Sequence, residues 1–115
     1  LQITKYWDIH KVISGHVYFQ KILIKNETKK LDLKGCIFNN TNLNNSAFIF
    51  NDLEKVDFEG SDLSSVVFER CNLKEANLSG CNITGTGFEN CNIDKTILDV
   101  SGFISYGNSK GFILV

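Results

Sequence analysis

The chain lacks any apolar run of membrane-spanning length, and its opening, Leu1-Gln2-Ile3-Thr4-Lys5, lacks the pattern of a signal peptide. It also lacks methionine altogether, so it is expected to be a processed or excised piece of a longer protein, and the missing targeting signal says nothing about compartment. Histidine is limited to His10 and His16, and the four cysteines, Cys36, Cys71, Cys81 and Cys91, are too widely spaced for a zinc finger. No nucleophile elbow and no phosphate-cradling glycine run occurs. Carboxylates are plentiful, but a row of exposed carboxylates without a pocket to shift their pKa values is not an active site. The sequence therefore nominates no catalytic, cofactor-binding or metal residue, implies no cofactor, and is expected not to encode an enzyme. At 115 residues it fits one small domain.

What the chain has is a rhythm. An apolar Leu, Phe or Ile recurs at every fifth residue, from Leu33, Phe38, Leu43 and Phe48 through to Leu98 and Phe103. Two positions before each of these centres the residue is small, as at Cys36, Thr41, Ser46, Ser61 and Ala76, with Leu31 and Asn51 the larger exceptions. The residue just before the centre is most often Asn or Asp, as at Asp32, Asn42, Asp52, Asp62 and Asn72. A period of five matches neither the 3.6 of a helix nor the 2 of a strand, so the chain must turn at each unit to send every centre inward. Short fixed periods mark repeat architectures. One extended stretch and one corner per unit close a four-sided coil after twenty residues, with neighbouring coils about 4.8 Å apart.

The units CNLKE, ANLSG, CNITG, TNLNN and SDLSS resemble the pentapeptide-repeat motif, A(D/N)LxX. The resemblance spans residues 31–105 and implies an all-β fold, a right-handed quadrilateral parallel β-helix of just under four coils. Residues 1–30 break the rhythm and are expected to be an N-terminal cap or linker, with a strand pair from His16 to Ile24 closing the first coil over Leu33 and Phe38. Residues 106–115 are expected to be a C-terminal cap, with Phe112 to Val115 folding back, or a truncated continuation. Open solenoid ends need such covers.

Aligned twenty residues apart, the charges form two alternating columns: Lys34, Glu54, Lys74, Asp94, and beside it Gly35, Lys55, Glu75, Lys95. The sequence thus predicts a structural ladder of exposed ion pairs, each contributing about 0.2–1 kcal/mol. Cys71 and Cys91 fall one coil apart, close enough for a disulfide, but side chains that point the same way suit packing, and small reduced cysteines are expected.

Charge is uneven along the chain. Residues 1–30 carry six Lys against Asp8 and Glu27, residues 31–105 carry eleven acids against five bases for a net of −6, and Lys110 brings the total to −1. Some pentapeptide-repeat proteins bind type II topoisomerases such as gyrase as DNA mimics, which the resemblance raises as an alternative. No direct nucleic-acid binding is expected.

The fourth side supplies the leading expectation. There the outward Asn or Asp is replaced by Ala47, Val67 and Gly87, and Phe48 is followed by Ile49 and Phe50. Ile37, Ile97 and Ile104 break the polar rule elsewhere. An exposed apolar patch marks contact with something. Ala47, Ile49, Phe50 and Val67 are the candidate surface for a protein partner or adjacent domain, unless a cap strand from residues 1–30, or sequence outside this chain, covers them. The expected role is a noncatalytic interaction scaffold, the β-helix module of a larger bacterial protein such as a secreted effector, working in the bacterial cytoplasm or inside a host cell. A lumenal receptor domain is a minor alternative, raised by the sequons at Asn26, Asn39, Asn44, Asn77 and Asn82.

Overall fold

A computed structural model describes residues 2–3, 23–25 and 30–115. The expected strand pair from His16 lies mostly outside the described residues.

The chain pairs with itself in parallel at a fixed offset. Short strands β1 (Gln2–Ile3), β2 (Leu23–Lys25), β3 (Leu31–Asp32), β4 (Ala47–Ile49), β5 (Asn51–Asp52), β6 (Val67–Glu69) and β7 (Gly87–Glu89) precede one helix, α1 (Val100–Ser109). Five strands form a parallel sheet in the order β1-β2-β4-β6-β7, and β3 pairs with β5. Ala47 faces Val67, which faces Gly87, while Leu31 faces Asn51. Single bridges at the same offset link Ile37 to Asp57, Asn42 to Asp62, and Asp52 to Asn72 to Asn92. The result is an all-β solenoid closed at one end by a helix.

Three local devices make each unit. Every fifth residue from Gly35 to Lys95 has a positive φ, between 52° and 73°. That is the left-handed corner the period demands, with the turn closed by bonds such as Cys36 N–H to the Leu33 carbonyl at 3.1 Å. Before the centre, the Asn or Asp side chain accepts from the N–H two residues on, as in Lys74 to Asn72 at 3.1 Å and Thr84 to Asn82 at 3.1 Å. These Asx turns fix the corner locally. Asparagine amides then tie coils together: Asn72 Nδ2 donates to Asp52 Oδ1 at 3.1 Å, and Asn92 Nδ2 to Asn72 Oδ1 at 3.2 Å.

The third device is a donor at the small position. Thr86 Oγ1 donates to the Leu63 carbonyl at 2.7 Å, Thr96 Oγ1 to Leu73 at 2.7 Å, and Cys81 Sγ to Phe58 at 3.0 Å. Ser61 Oγ bonds the Phe38 carbonyl in the same way. The Leu63 carbonyl also takes the Val66 N–H at 3.0 Å, so both of its lone pairs are used.

Leu33, Leu43, Leu53, Leu63 and Leu73 are fully buried, as are Phe48, Phe58 and Phe68. Phenylalanines stack from coil to coil: Phe48 on Phe68 at 5.2 Å and Phe68 on Phe88 at 5.6 Å between ring centroids. Offset ring pairs of this kind contribute about 0.5–1.5 kcal/mol beyond their buried area.

Two expectations are corrected. Phe103 is not a fifteenth inward centre: it lies in α1 and is 69% exposed, because Asp99 caps a helix there instead of continuing the rhythm. Asp99 Oδ1 accepts from Gly102 N–H at 2.7 Å, and its other oxygen accepts from Gly80 N–H at 2.8 Å, which fastens the helix to the coil. The charge ladder is also not a ladder of ion pairs. Among the described residues the ion pair that forms is Lys34 with Asp52 at 3.7 Å, since exposed long side chains gain little from being held one coil apart. At the C-terminal end it is Tyr106 that packs on Phe88, edge to face at 5.5 Å, while Phe112 to Val115 are exposed.

Candidate interaction surface

The fourth side differs in backbone as well as in composition. Where Asn or Asp precedes the centre, the chain makes a single bridge or a two-residue strand and turns; where Ala47, Val67 and Gly87 stand instead, it runs as the three-residue strands β4, β6 and β7. Without an Asx side chain to bend the backbone, the extended segment lengthens and the sheet becomes regular. Phe48, Phe68 and Phe88 point inward from these strands, and the residues on either side of them point out.

Three outward rows result. Ala47, Val67 and Gly87 form the first; Ile49, Glu69 and Glu89 form the second; Phe50, Arg70 and Asn90 occupy the corner. Val67 is 41% exposed, while Ala47, Ile49 and Phe50 are half-buried. The Arg70 guanidinium lies 5.1 Å from the Phe50 ring centroid and Lys30 Nζ lies 6.0 Å from it. The predicted patch is thus contiguous but partly roofed by cations, and Val67 is its most open member. Of the other apolar exceptions, Ile37 is half-buried, and Ile97 and Ile104 are 48% and 39% exposed away from this side.

The corner is strained. Phe50 at φ 56° and Arg70 at φ 53° hold a conformation that costs a bulky L-residue about 1–2 kcal/mol. Lys55, Glu75 and Lys95 hold the same conformation at other corners, so the strain belongs to the coil as a whole and does not mark this face. Nothing in the residue types announces this strain; only the spacing that makes every such position a corner does.

A second apolar region was not anticipated. Phe88, Ile93, Thr96, Leu98, Phe103 and Tyr106 line a groove of about 220 Å³ where α1 meets the last repeats. Ile93, expected as an inward centre, is 55% exposed there because no further repeat covers it. A signal did exist in the sequence: Asp99 is an N-cap type, and Lys110-Gly111 is a helix stop, with Gly111 at φ +94°.

Among the described residues no group of three His, Cys, Asp or Glu side chains could hold a metal ion, and no helix is long and apolar enough to cross a membrane. His10 and His16 lie outside the described residues.

A family profile described as the pentapeptide repeat region matches residues 29–98. No curated protein matches significantly. Similar solved structures include the pentapeptide repeat protein Rfr23 from the cyanobacterium Cyanothece 51142, at 18% identity and a TM-score of 0.39, covering 72% of this chain and 60% of that one. HetL, from the cyanobacterium Nostoc sp. strain PCC 7120 and involved in heterocyst differentiation regulation, gives 22% identity and a TM-score of 0.41 over 70% of this chain and 40% of its own. QnrB1, a plasmid-mediated fluoroquinolone resistance protein, gives 14% identity and a TM-score of 0.29, covering 83% of this chain and 69% of that one. This chain therefore spans less than two thirds of Rfr23 and of HetL.

Proposed function

From the premise that this chain belongs to the pentapeptide-repeat family, we propose that it is a noncatalytic protein-interaction scaffold whose binding face is the strand-rich fourth side. The finer geometry of the reading is a right-handed quadrilateral helix of just under four coils, flanked by N-terminal and C-terminal caps. The observation that carries it is the row Ala47, Val67, Gly87: here alone among the three-unit rows the outward Asn or Asp is gone, and the backbone answers with a regular sheet. A small apolar strip, two carboxylates at Glu69 and Glu89, and the cationic corner over Phe50 would together suit a partner that lays an apolar side chain on Val67 and a polar rim around it. A repeat stack of this kind supplies a rigid surface rather than a reaction. Within this reading the module serves a larger bacterial protein such as a secreted effector.

The second reading, a DNA-mimicking binder of a type II topoisomerase, is favoured by the net −6 of residues 31–105. The two separate experimentally. A photo-crosslinking amino acid at position 67, with one at Thr84 as the control on another side, should yield a protein adduct only from position 67. Ile49→Lys with Val67→Lys should remove that adduct while leaving the circular dichroism spectrum unchanged, since the ammonium introduced at Ile49 would have the Glu69 carboxylate beside it one coil away. Equal adducts from both positions, or an adduct indifferent to the double substitution, would sink the fourth side as the binding face. Inhibition of gyrase supercoiling that survives the double substitution would move the second reading to the front.

A further inference from the structure

Four cysteines occupy the small donor position, but their neighbours one coil away differ. Cys36 sits over Val56 and Cys81 over Ser61, whereas Cys71 and Cys91 sit over each other, beside the Asn72–Asn92 bridge. Asn92 N–H donates to the Cys71 carbonyl at 3.0 Å, which sets the two backbones in register. The thiols are equivalently aimed: Cys71 Sγ donates to the Phe48 carbonyl at 3.2 Å and Cys91 Sγ to the Phe68 carbonyl at 3.3 Å. In-register parallel neighbours have Cα atoms about 4.8 Å apart, inside the range of about 4.4–6.8 Å that a disulfide spans. Access is unequal, because Cys71 is 2% exposed and Cys91 is only half-buried.

We propose that Cys71 and Cys91 form a dithiol oxidation site, at which a hydroperoxide attacks through Cys91 and Cys71 resolves the product to a disulfide between adjacent coils. In the first step the Cys91 thiolate attacks the peroxide; its O–O bond breaks, Cys91 becomes a sulfenic acid, and the released alkoxide or hydroxide takes a proton. In the second step Cys71 sulfur attacks the sulfenic sulfur, the S–S bond forms, the S–O bond breaks, and the Cys71 proton leaves with hydroxide as water. The two thiols supply the two electrons that reduce the peroxide.

Access assigns the roles in that order, since a peroxide reaches half-buried Cys91 before Cys71, and the electrostatics run the same way. The neighbouring Cys71 side chain holds the Cys91 pKa below its ordinary 9, with the Cys71 backbone and Lys30 helping and burial and Glu89 opposing. The same contact and deeper burial push Cys71 up, so it keeps its proton until the second step. Cys81, buried without such a partner, is pushed up to about 12. Bridging would pull both sulfurs off their carbonyls and draw parallel Cβ atoms together, so the bond should be easily reduced.

The test uses the whole chain carrying Cys81→Ser, a change the fold already accepts at Ser61. After brief treatment with hydrogen peroxide and alkylation of the remaining thiols, trypsin should release the Cys71–Lys74 peptide joined to the Glu75–Lys95 peptide, and dithiothreitol should separate them. With Cys71→Ser added, Cys91 should stop at a sulfenic acid that dimedone traps. Alkylation of Cys91 at neutral pH should be at least about tenfold faster than that of Cys81 in the unmodified protein, with a midpoint below that of an ordinary thiol. A sulfenic acid at Cys91 without the joined peptide, a disulfide between two copies, or Cys91 reacting no faster than Cys81 would each overturn the proposal.

Discussion

The Thr86 hydroxyl donates to the carbonyl of Leu63, 2.7 Å away, and so links two coils through a side chain that appears in the sequence only as a small residue. Thr86 is 7% exposed, and replacing it with Val keeps the shape while leaving the carbonyl with the Val66 N–H alone. Thr86→Val should therefore cost about 0.5–1.5 kcal/mol in urea denaturation, whereas Thr86→Ser, which keeps the donor, should cost less. If the two substitutions destabilised equally, the hydroxyl would be filling space and not bonding.

The five-residue period identified the solenoid, its inward Leu and Phe centres up to Ile83, and the twenty-residue register, because all three follow from spacing alone. Spacing could not identify what the small position does. Cys, Ser and Thr share a size and a donor, and only the carbonyls of Phe58, Leu63 and Leu73 reveal that the donor is used. Phe103 shows the opposite hazard, since it keeps the rhythm by coincidence inside a helix that Asp99 starts. The candidate face was legible as missing Asn and Asp at Ala47, Val67 and Gly87. The Arg70 cover over Phe50 was not, because corner side chains twenty residues apart carry no periodic signal of their own.

Corner residues give a prediction of either sign. Lys55 is exposed and held at φ 59°, so Lys55→Gly removes a left-handed penalty at the cost of some unfolded-chain entropy. The net expectation is a gain of about 0.5–1 kcal/mol. Gly85→Ala should lose about 1–2 kcal/mol: its φ is +73°, and the added Cβ would meet Ser65 Oγ at 3.4 Å. Thermal unfolding of the two variants checks both, and a stabilised Gly85→Ala would contradict the corner geometry.

Asp99 makes the helix junction sensitive to acid. Its pKa is lowered from the ordinary 3.8 by the Gly102 and then the Gly80 N–H groups. A depressed carboxyl contributes stability that is present above 3.8 and is lost as pH falls through the lower folded value. The amide proton shifts of Gly80 and Gly102 should then titrate together, with one midpoint below 3.8, and Asp99→Asn should abolish that step. Independent midpoints for the two glycines would mean that one carboxylate does not hold both.

The end of the stack should yield first. Phe88 has Phe68 on one side and only Tyr106 on the other, and Lys110 Nζ lies 5.4 Å from the Tyr106 ring. Tyr106 thus stands where another coil would place a phenylalanine, and the apolar groove beside it is already open at Ile93 and Phe103. Tyr106→Ala should cost about 1–3 kcal/mol, from lost burial and the lost ring pair. Because few contacts hold the helix besides Asp99, the loss should appear as local opening: faster hydrogen exchange throughout α1 and new binding of the dye ANS at Phe88, with Leu63 and Phe68 still protected. Tyr106→Phe should show neither effect. Uniformly faster exchange across all repeats after Tyr106→Ala would instead mean that helix and coils unfold as one unit, and that the ring is part of the core rather than its cover.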